Sequence, residues 1–242
     1  TTGTKNVAVG GLALDAANTG QENTAIGHQA LTADTKGQRN TAVGHLSFGT
    51  QNFTTATNTY NTAVGHLAGQ LVTTAVNNTL IGGLSGDALT TGSNNTTLGK
   101  GSLSAMTTGN SNVAIGINAL TSDTLGARNI AIGVGSLETQ NFTTATNTYN
   151  VAVGYAAGGA VSTGVYNTLI GGLAGDALTT GQRNVAIGYA ALSSEETCRT
   201  NMSRYVSGAT FASSLDSEVS KTSSSSLKLI TSTPSSPTSS AA

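Results

Sequence analysis

Three histidines, His28, His45 and His66, each stand one residue after a glycine, 17 and then 21 residues apart. If each interval closes one turn of a coil, the three imidazoles form a column. Imidazole is a ligand for zinc and copper, so such a column, facing a symmetry axis, could hold a metal ion or an anion. Histidine pairs at ligand spacing or a carboxylate partner would strengthen that reading, and neither accompanies these three. The same phase elsewhere carries Gly11, Gly83, Lys100, Ile117, Val134 and Tyr155. The expectation is an exposed column with no metal, and no cofactor is expected anywhere in the chain.

The other candidates for chemistry are carboxylates. Asp87 and Asp176 sit in a repeated "GDALTTG", and Asp15, Asp34 and Asp123 lie in turn-like stretches. Cleavage of a glycosidic bond needs two carboxylates a few ångströms apart, and nothing in the spacing places such a pair. Capping of Asx turns is the expected role. Cys198 is the single cysteine, so it has no intrachain disulfide partner, and no catalytic context surrounds it. The glycines do not form the strand–loop–helix cradle of a phosphate site. No enzyme is expected. Phe53, Tyr60, Phe142 and Tyr149 flank two insertions, where they either make surface contacts or fill the space that the insertions open.

The elements that would position these residues come from a repeat. The stretch "TQNFTTATNTYN" stands at 50–61 and again, letter for letter, at 139–150. A pentad Asn-x-x-aliphatic-Gly starts at Asn6, Asn23, Asn40, Asn61, Asn78, Asn95, Asn112, Asn129, Asn150, Asn167 and Asn184. The spacing is 17 residues except for two steps of 21, after Asn40 and Asn129. Four short steps and one long one make the 89-residue offset, so a block of five coils is duplicated. The closing glycines are Gly10, Gly27, Gly44, Gly65, Gly82, Gly99, Gly116, Gly133, Gly154, Gly171 and Gly188.

Within each pentad the residues alternate with a period of two, the pattern of a strand. Glycine at one fixed phase points to a corner with positive φ or a close backbone approach. Turn residues such as "TTG" and "NTG" close the coil. The chain is therefore read as an all-β, parallel β-solenoid of about eleven coils of 17–21 residues, a rod of roughly 50 Å at ~4.8 Å per coil. The asparagines are expected to form a ladder of side-chain amides, as in other stacked β-structures. The aliphatic fourth residue (Val9, Ile26, Val43) and the Leu that often follows an Ala or Ser three places beyond the glycine (Leu31, Leu120, Leu192) are expected to fill the core in continuous columns. Ala at the third place then faces the other way, a second apolar face of small residues that suits packing against further copies of the chain.

Composition agrees with such an architecture. Only 9% of residues are charged, against about 25% in ordinary soluble domains. Aromatic side chains make up 4%, so a conventional bulky core is out of reach. A net charge of −1 argues against nucleic acid as a partner. No apolar run approaches ~20 residues, so no membrane insertion is expected. The sequence opens "TTGTKNVAVG" without Met and is expected to be a segment of a longer chain.

The runs "NVAIGINAL" at 112–120 and "NVAIGYAAL" at 184–192 resemble the head repeats of trimeric autotransporter adhesins of the YadA-like type, and the repeats of bacteriophage tail-fibre and receptor-binding proteins. The resemblance covers about residues 1–192. It implies a left-handed parallel β-roll, three chains side by side, and a spacer or binding role outside the cell. The coils here are longer than the adhesin-head repeat, and no neck motif, heptad or barrel anchor is visible. These departures turn the expectation toward the shaft of a virion tail fibre, with a bacterial surface adhesin head that binds matrix or glycan as the alternative. The implied partners are other copies of the chain, other fibre or virion proteins, and a host glycan or protein receptor met by a distal part.

Periodicity stops after Leu192. Residues 193–204, with Glu195, Glu196, Arg199 and Arg204, read as a cap or linker. Residues 205–242 contain "SEVSKTSSSSLKLI", which resembles the opening strands of jelly-roll carbohydrate-binding modules. They read as the start of a truncated β-sandwich or as a Ser/Thr-rich tail.

Overall fold

Each pentad places Asn, the third residue and Gly on one side of a pleat, and its second and fourth residues on the other. The structure, a computed structural model, describes residues 2–193. The expectations for 205–242, and for the linker beyond Ser193, lie outside the described residues. Eleven three-residue strands, from Val7–Val9 to Val185–Ile187, form one parallel sheet in chain order. The register is strict: Val7, Ala8 and Val9 pair with Thr24, Ala25 and Ile26, and the last step pairs Thr168, Leu169 and Ile170 with Val185, Ala186 and Ile187. Each connection is one coil, so the described chain is a β-solenoid. Among the described residues there is no helix, hence none long and apolar enough to cross a membrane.

The remaining sides of the coil are held by the backbone as well. Leu31 N–H donates to Ser47 O at 2.9 Å, Phe48 N–H to Ala68 O at 3.1 Å, and Gly86 N–H to Ser102 O at 2.9 Å. Two further ladders, Gly37–Gln38 with Thr57–Asn58 and Gly126–Ala127 with Thr146–Asn147, brace the two 21-residue coils.

The core keeps the expected leucine column, with Leu31 and Leu120 fully buried, but takes the third place of the pentad instead of the fourth. The third-place alanines, among them Ala25, Ala42, Ala114 and Ala131, are fully buried. The fourth-place residues point outward: Val9 is 56%, Leu98 50% and Ile187 42% exposed. Val43, Ile115 and Ile132 are half-buried. The reason is volume. The ninth place also points inward, with Leu31, Phe48, Leu103, Leu120 and Leu137 fully buried, and so does the twelfth, with Val72, Leu89, Met106, Val161 and Leu178. With the small eighth place (Ala30, Ser47, Ala68) buried as well, these inward columns leave room for only one methyl group at the third place of most coils. The small-residue column assigned to contacts between chains is therefore inside the coil.

Two of the three exceptions obey the same volume rule; in the third, Thr97 is buried together with Leu103 and Met106 and its hydroxyl is hydrogen-bonded to Ser85. In the coils of Asn78 and Asn167 the third place is Leu80 or Leu169, and the ninth is Gly86 or Gly175. A Cβ on Gly175 would lie 2.8 Å from Leu169 Cδ2. Coils with two small residues borrow volume from their neighbours: a Cβ on Gly69 would meet Phe48 at 2.7 Å and Leu80 at 2.8 Å. Close packing is thus kept by exchange of size within and between coils.

The corner glycines meet both demands at once. Gly133 has φ +133°, and a Cβ there would sit 2.2 Å from Gly154 O of the next coil. Each coil also holds non-glycine residues in the left-handed region, such as Leu46 (φ 54°) and Phe48 (φ 48°). Such backbone costs about 1–2 kcal/mol per residue. Here it turns the N–H groups onto the adjacent coils, as in Leu46 N–H to His28 O at 3.0 Å.

Candidate functional site

The asparagine column is a ladder, chiefly from side chain to backbone. Asn23 N–H donates to Asn6 Oδ1, and Asn40 N–H to Asn23 Oδ1, both at 2.9 Å. The pattern continues through Asn78, Asn95, Asn112, Asn129 and Asn167 to Asn184. Side-chain Nδ2 groups close the turn at the end of their own coil, as in Asn78 Nδ2 to Gly92 O at 3.0 Å. Direct amide-to-amide bonds occur at some steps, such as Asn112 Nδ2 to Asn95 Oδ1 at 3.2 Å. At the two long coils a threonine intervenes: Thr59 donates to Asn40 Oδ1, and Thr148 to Asn129 Oδ1.

Those long coils are anchored by a buried polar network. Asp34 Oδ1 accepts from Lys36 N–H (3.3 Å) and Gly37 N–H (2.8 Å), an Asx turn, and from Phe53 N–H at 3.3 Å in the next coil. Its Oδ2 accepts from Gln51 Nε2 at 2.6 Å, and Gln51 Oε1 accepts from Asn61 Nδ2 at 2.9 Å. Asp123, Gln140, Asn150 and Phe142 repeat the arrangement. Burial pushes the Asp123 carboxyl above its ordinary range, against the opposing pull of its hydrogen bonds from Gln140 and the backbone. Phe53 and Phe142 are 6% and 7% exposed. They are packing residues of the insertions and offer no surface contact in this chain.

Asp15, Asp87 and Asp176 share the tenth place, outside this network. Asp87 Oδ1 and Asp176 Oδ1 are buried without a hydrogen-bond partner, and burial raises the Asp87 carboxyl above its usual value.

His28, His45 and His66 do stack: ring centroids are 5.5 and 5.2 Å apart, with interplanar angles of 9° and 15°. All three are exposed. Parallel rings aim their lone pairs in parallel rather than at one point, and among the described residues no group of three His, Cys, Asp or Glu gathers around a metal position. The duplicated block carries Ile117, Val134 and Tyr155 at the same places.

The residue before each asparagine forms a column that sequence reading resolved only at Tyr60 and Tyr149. It runs Lys5, Glu22, Arg39, Tyr60 in the first part, and Arg128, Tyr149, Tyr166, Arg183 in the last. Glu22 pairs with Lys5 at 3.1 Å and with Arg39 at 2.9 Å. Hydrogen bonds from Arg39 and Lys5 hold its carboxyl below the usual range. Arg39 Nη1 donates to Tyr60 Oη at 2.8 Å, and its guanidinium lies 5.5 Å from the ring centre. Tyr60 and Tyr149 are 53% and 44% exposed. The signal was present in the 17-residue phase, but arginine and tyrosine at one phase show no pattern until the coils are stacked.

No protein-family model, curated protein or solved structure matches this chain.

Proposed function

We propose that the chain is the shaft of a surface fibre, which sets distance and presents a distal receptor-binding part. The observation that carries this reading is the outer face of the eleven-stranded sheet. Fourth-place aliphatics such as Val9, Leu98, Ile170 and Ile187, 38–56% exposed, form an apolar column along the stack, beside a second place that is Thr in six coils and Val or Ile in five. An exposed apolar stripe of this extent marks an association surface. Three copies wound in the left-handed sense and joined through this face would bury it. That assigns the contact to the branched aliphatics and leaves the alanines to each chain's own core.

The proposed place is the tail fibre of a virion, in contact with other fibre proteins. A backbone-bonded stack with volume-matched columns resists shear and proteolysis without disulfides, which suits a mechanical part. The exposed Arg–Tyr column favours a second reading, a bacterial surface adhesin head whose rod itself makes contact with matrix or glycan.

Light scattering coupled to gel filtration of the full chain tests the assembly. The expected mass is three times that of one chain, and Ile170→Asp with Ile187→Asp should lower it while the β-type circular dichroism persists. A wild-type monomer would overturn the reading.

A further inference from the structure

We propose that the column Arg128, Tyr149, Tyr166 and Arg183 binds an anionic polysaccharide along the side of the rod. This stands on the column of a single chain and holds whether or not the shaft is a trimer. The four side chains come from successive coils and form a continuous stack. The Arg128 guanidinium lies 5.4 Å from the Tyr149 ring centre, and its Nη1 donates to Tyr149 Oη at 2.7 Å. Tyr149 and Tyr166 stack at 5.6 Å and 11°, and Arg183 closes the stack 5.6 Å from Tyr166.

The chemistry left to this column is charge. Sugars bound on an aromatic platform need an open ring face, and both rings here are covered above and below. What faces water is two guanidinium edges and the phenol rims. Among the described residues neither Arg128 nor Arg183 has an ion pair, although both are exposed. A guanidinium offers a fork of donors that fits a carboxylate or a sulfate. Before a ligand arrives Arg128 is held by its bond to Tyr149 and Arg183 rests on the Tyr166 ring, which lowers the ordering cost of binding.

The duplication supplies an internal comparison. At the same places, 89 residues earlier, stand Arg39, Tyr60, Asn77 and Asn94. There the one arginine is ion-paired with Glu22 at 2.9 Å, a carboxylate that Lys5 shares, and the two places after the tyrosine are uncharged, so that column keeps one net positive charge against two here. The same backbone thus carries a satisfied column in one block and an unsatisfied cationic one in the other.

Spacing favours a sparsely charged chain over nucleic acid. Arg128 and Arg183 are three coil steps apart, roughly 14 Å. A DNA duplex carries a charge per about 1.7 Å of axis and is held by dense Lys/Arg. Two cations over that span suit a polymer of acidic sugars, with the Tyr166 hydroxyl between them open to sugar hydroxyls and Tyr149 Oη, which accepts from Arg128, still able to donate.

Biolayer interferometry on the full chain tests the proposal, with polygalacturonate, dextran sulfate and plain dextran as probes. Binding of at least one anionic polymer is expected, weakened by added salt, with none to plain dextran. The two anionic arms separate carboxylate from sulfate recognition. Arg128→Gln with Arg183→Gln should weaken it by at least about tenfold, the loss expected for charge-assisted hydrogen bonds, and Arg39→Gln should leave it unchanged. The proposal fails if neither anionic polymer binds, if plain dextran binds as well, or if Arg39→Gln weakens binding equally. It also fails if duplex DNA binds as tightly through the same two arginines. A changed solution mass of the double variant would make the column a contact between subunits and would likewise overturn it.

Discussion

Gln140 bridges two coils: its Nε2 donates to Asp123 Oδ2 at 2.6 Å, and its Oε1 accepts from Asn150 Nδ2 at 2.8 Å. The bridge fixes the direction of every hydrogen bond in the network. Asn150 donates here, because its Oδ1 points to the next coil, where it accepts from Asn167 N–H, and its Nδ2 is the atom turned to Gln140. Gln140 must therefore present its oxygen to Asn150 and its nitrogen to Asp123, and Asp123 must accept. The acid terminates a one-way chain of donors where four extra residues leave the 17-residue frame.

Asp123→Asn breaks this direction. Whichever way the new amide turns, either Gln140 Nε2 or the backbone N–H groups of Gly126 and Phe142 face a donor. A buried group left unpaired costs about 1–3 kcal/mol. Denaturant titration of the variant should show a loss of that size, and Asp34→Asn should show a similar one. The sites lie in separate coils, so the two losses should add. Variants as stable as the parent would show that the network is not held by its polarity.

Acid should favour the folded state through the same carboxyl. Burial raises the Asp123 and Asp87 carboxyls above their ordinary values in the folded chain. The folded state then binds more protons than the unfolded state between the ordinary carboxylate pKa and the raised value. Stability from these groups is fully present below that window and falls as pH rises through it. Glu22, held low by Arg39 and Lys5, acts in the opposite sense at lower pH. Melting temperature followed upward from about pH 4 should fall less steeply with Asp87→Asn than with the parent. Parallel curves would contradict the effect of Asp87 burial.

The solenoid itself was legible in the sequence because one pentad recurs at a fixed phase. Asn23 and Gly133 are required at every coil by the same bonds, so their spacing alone revealed the stack. The inside of the coil was legible only at its leucine column, Leu31 and Leu120. Strand alternation separates Ala25 from Ile26 but says nothing about which faces inward. That depends on the ninth and twelfth places, Leu31 and Leu89 among them, and the ninth lies in left-handed backbone that ordinary strand patterns do not contain. The Arg–Tyr stack was hidden for a related reason: its members lie 17 or 21 residues apart and touch only through coil stacking.

Gly116→Ala tests the corner. The φ of +130° is unfavourable to any side chain, and the new Cβ would lie 2.5 Å from the Gly133 carbonyl. Relief requires the coils of Asn112 and Asn129 to separate, which lengthens the ladder bonds between them. Native-state hydrogen exchange should show Gly133 N–H and Asn129 N–H losing protection first. Unchanged protection would mean that the corner does not set the spacing between coils.

Leu80 and Gly86 provide the sharpest test of the core. A Cβ on Gly86 would lie 3.1 Å from Leu80 Cδ2, so the two share one volume. Leu80→Ala alone empties a fully buried site and should cost about 2–5 kcal/mol. Gly86→Leu alone overpacks the same space and should cost about 1–3 kcal/mol. The double variant recreates the Ala–Leu arrangement of the coil of Asn112, where Ala114 faces a ninth-place Leu120 with φ 52°. Its φ at residue 86 is already +55°, a conformation that leucine occupies at that place in other coils. Recovery should be partial, because Leu80 also fills the space beside Gly69. A coupling of about 1–3 kcal/mol in the double-mutant cycle is expected. Strict additivity of the two losses would show that the third and ninth places do not exchange volume, and the account of the core would fall with it.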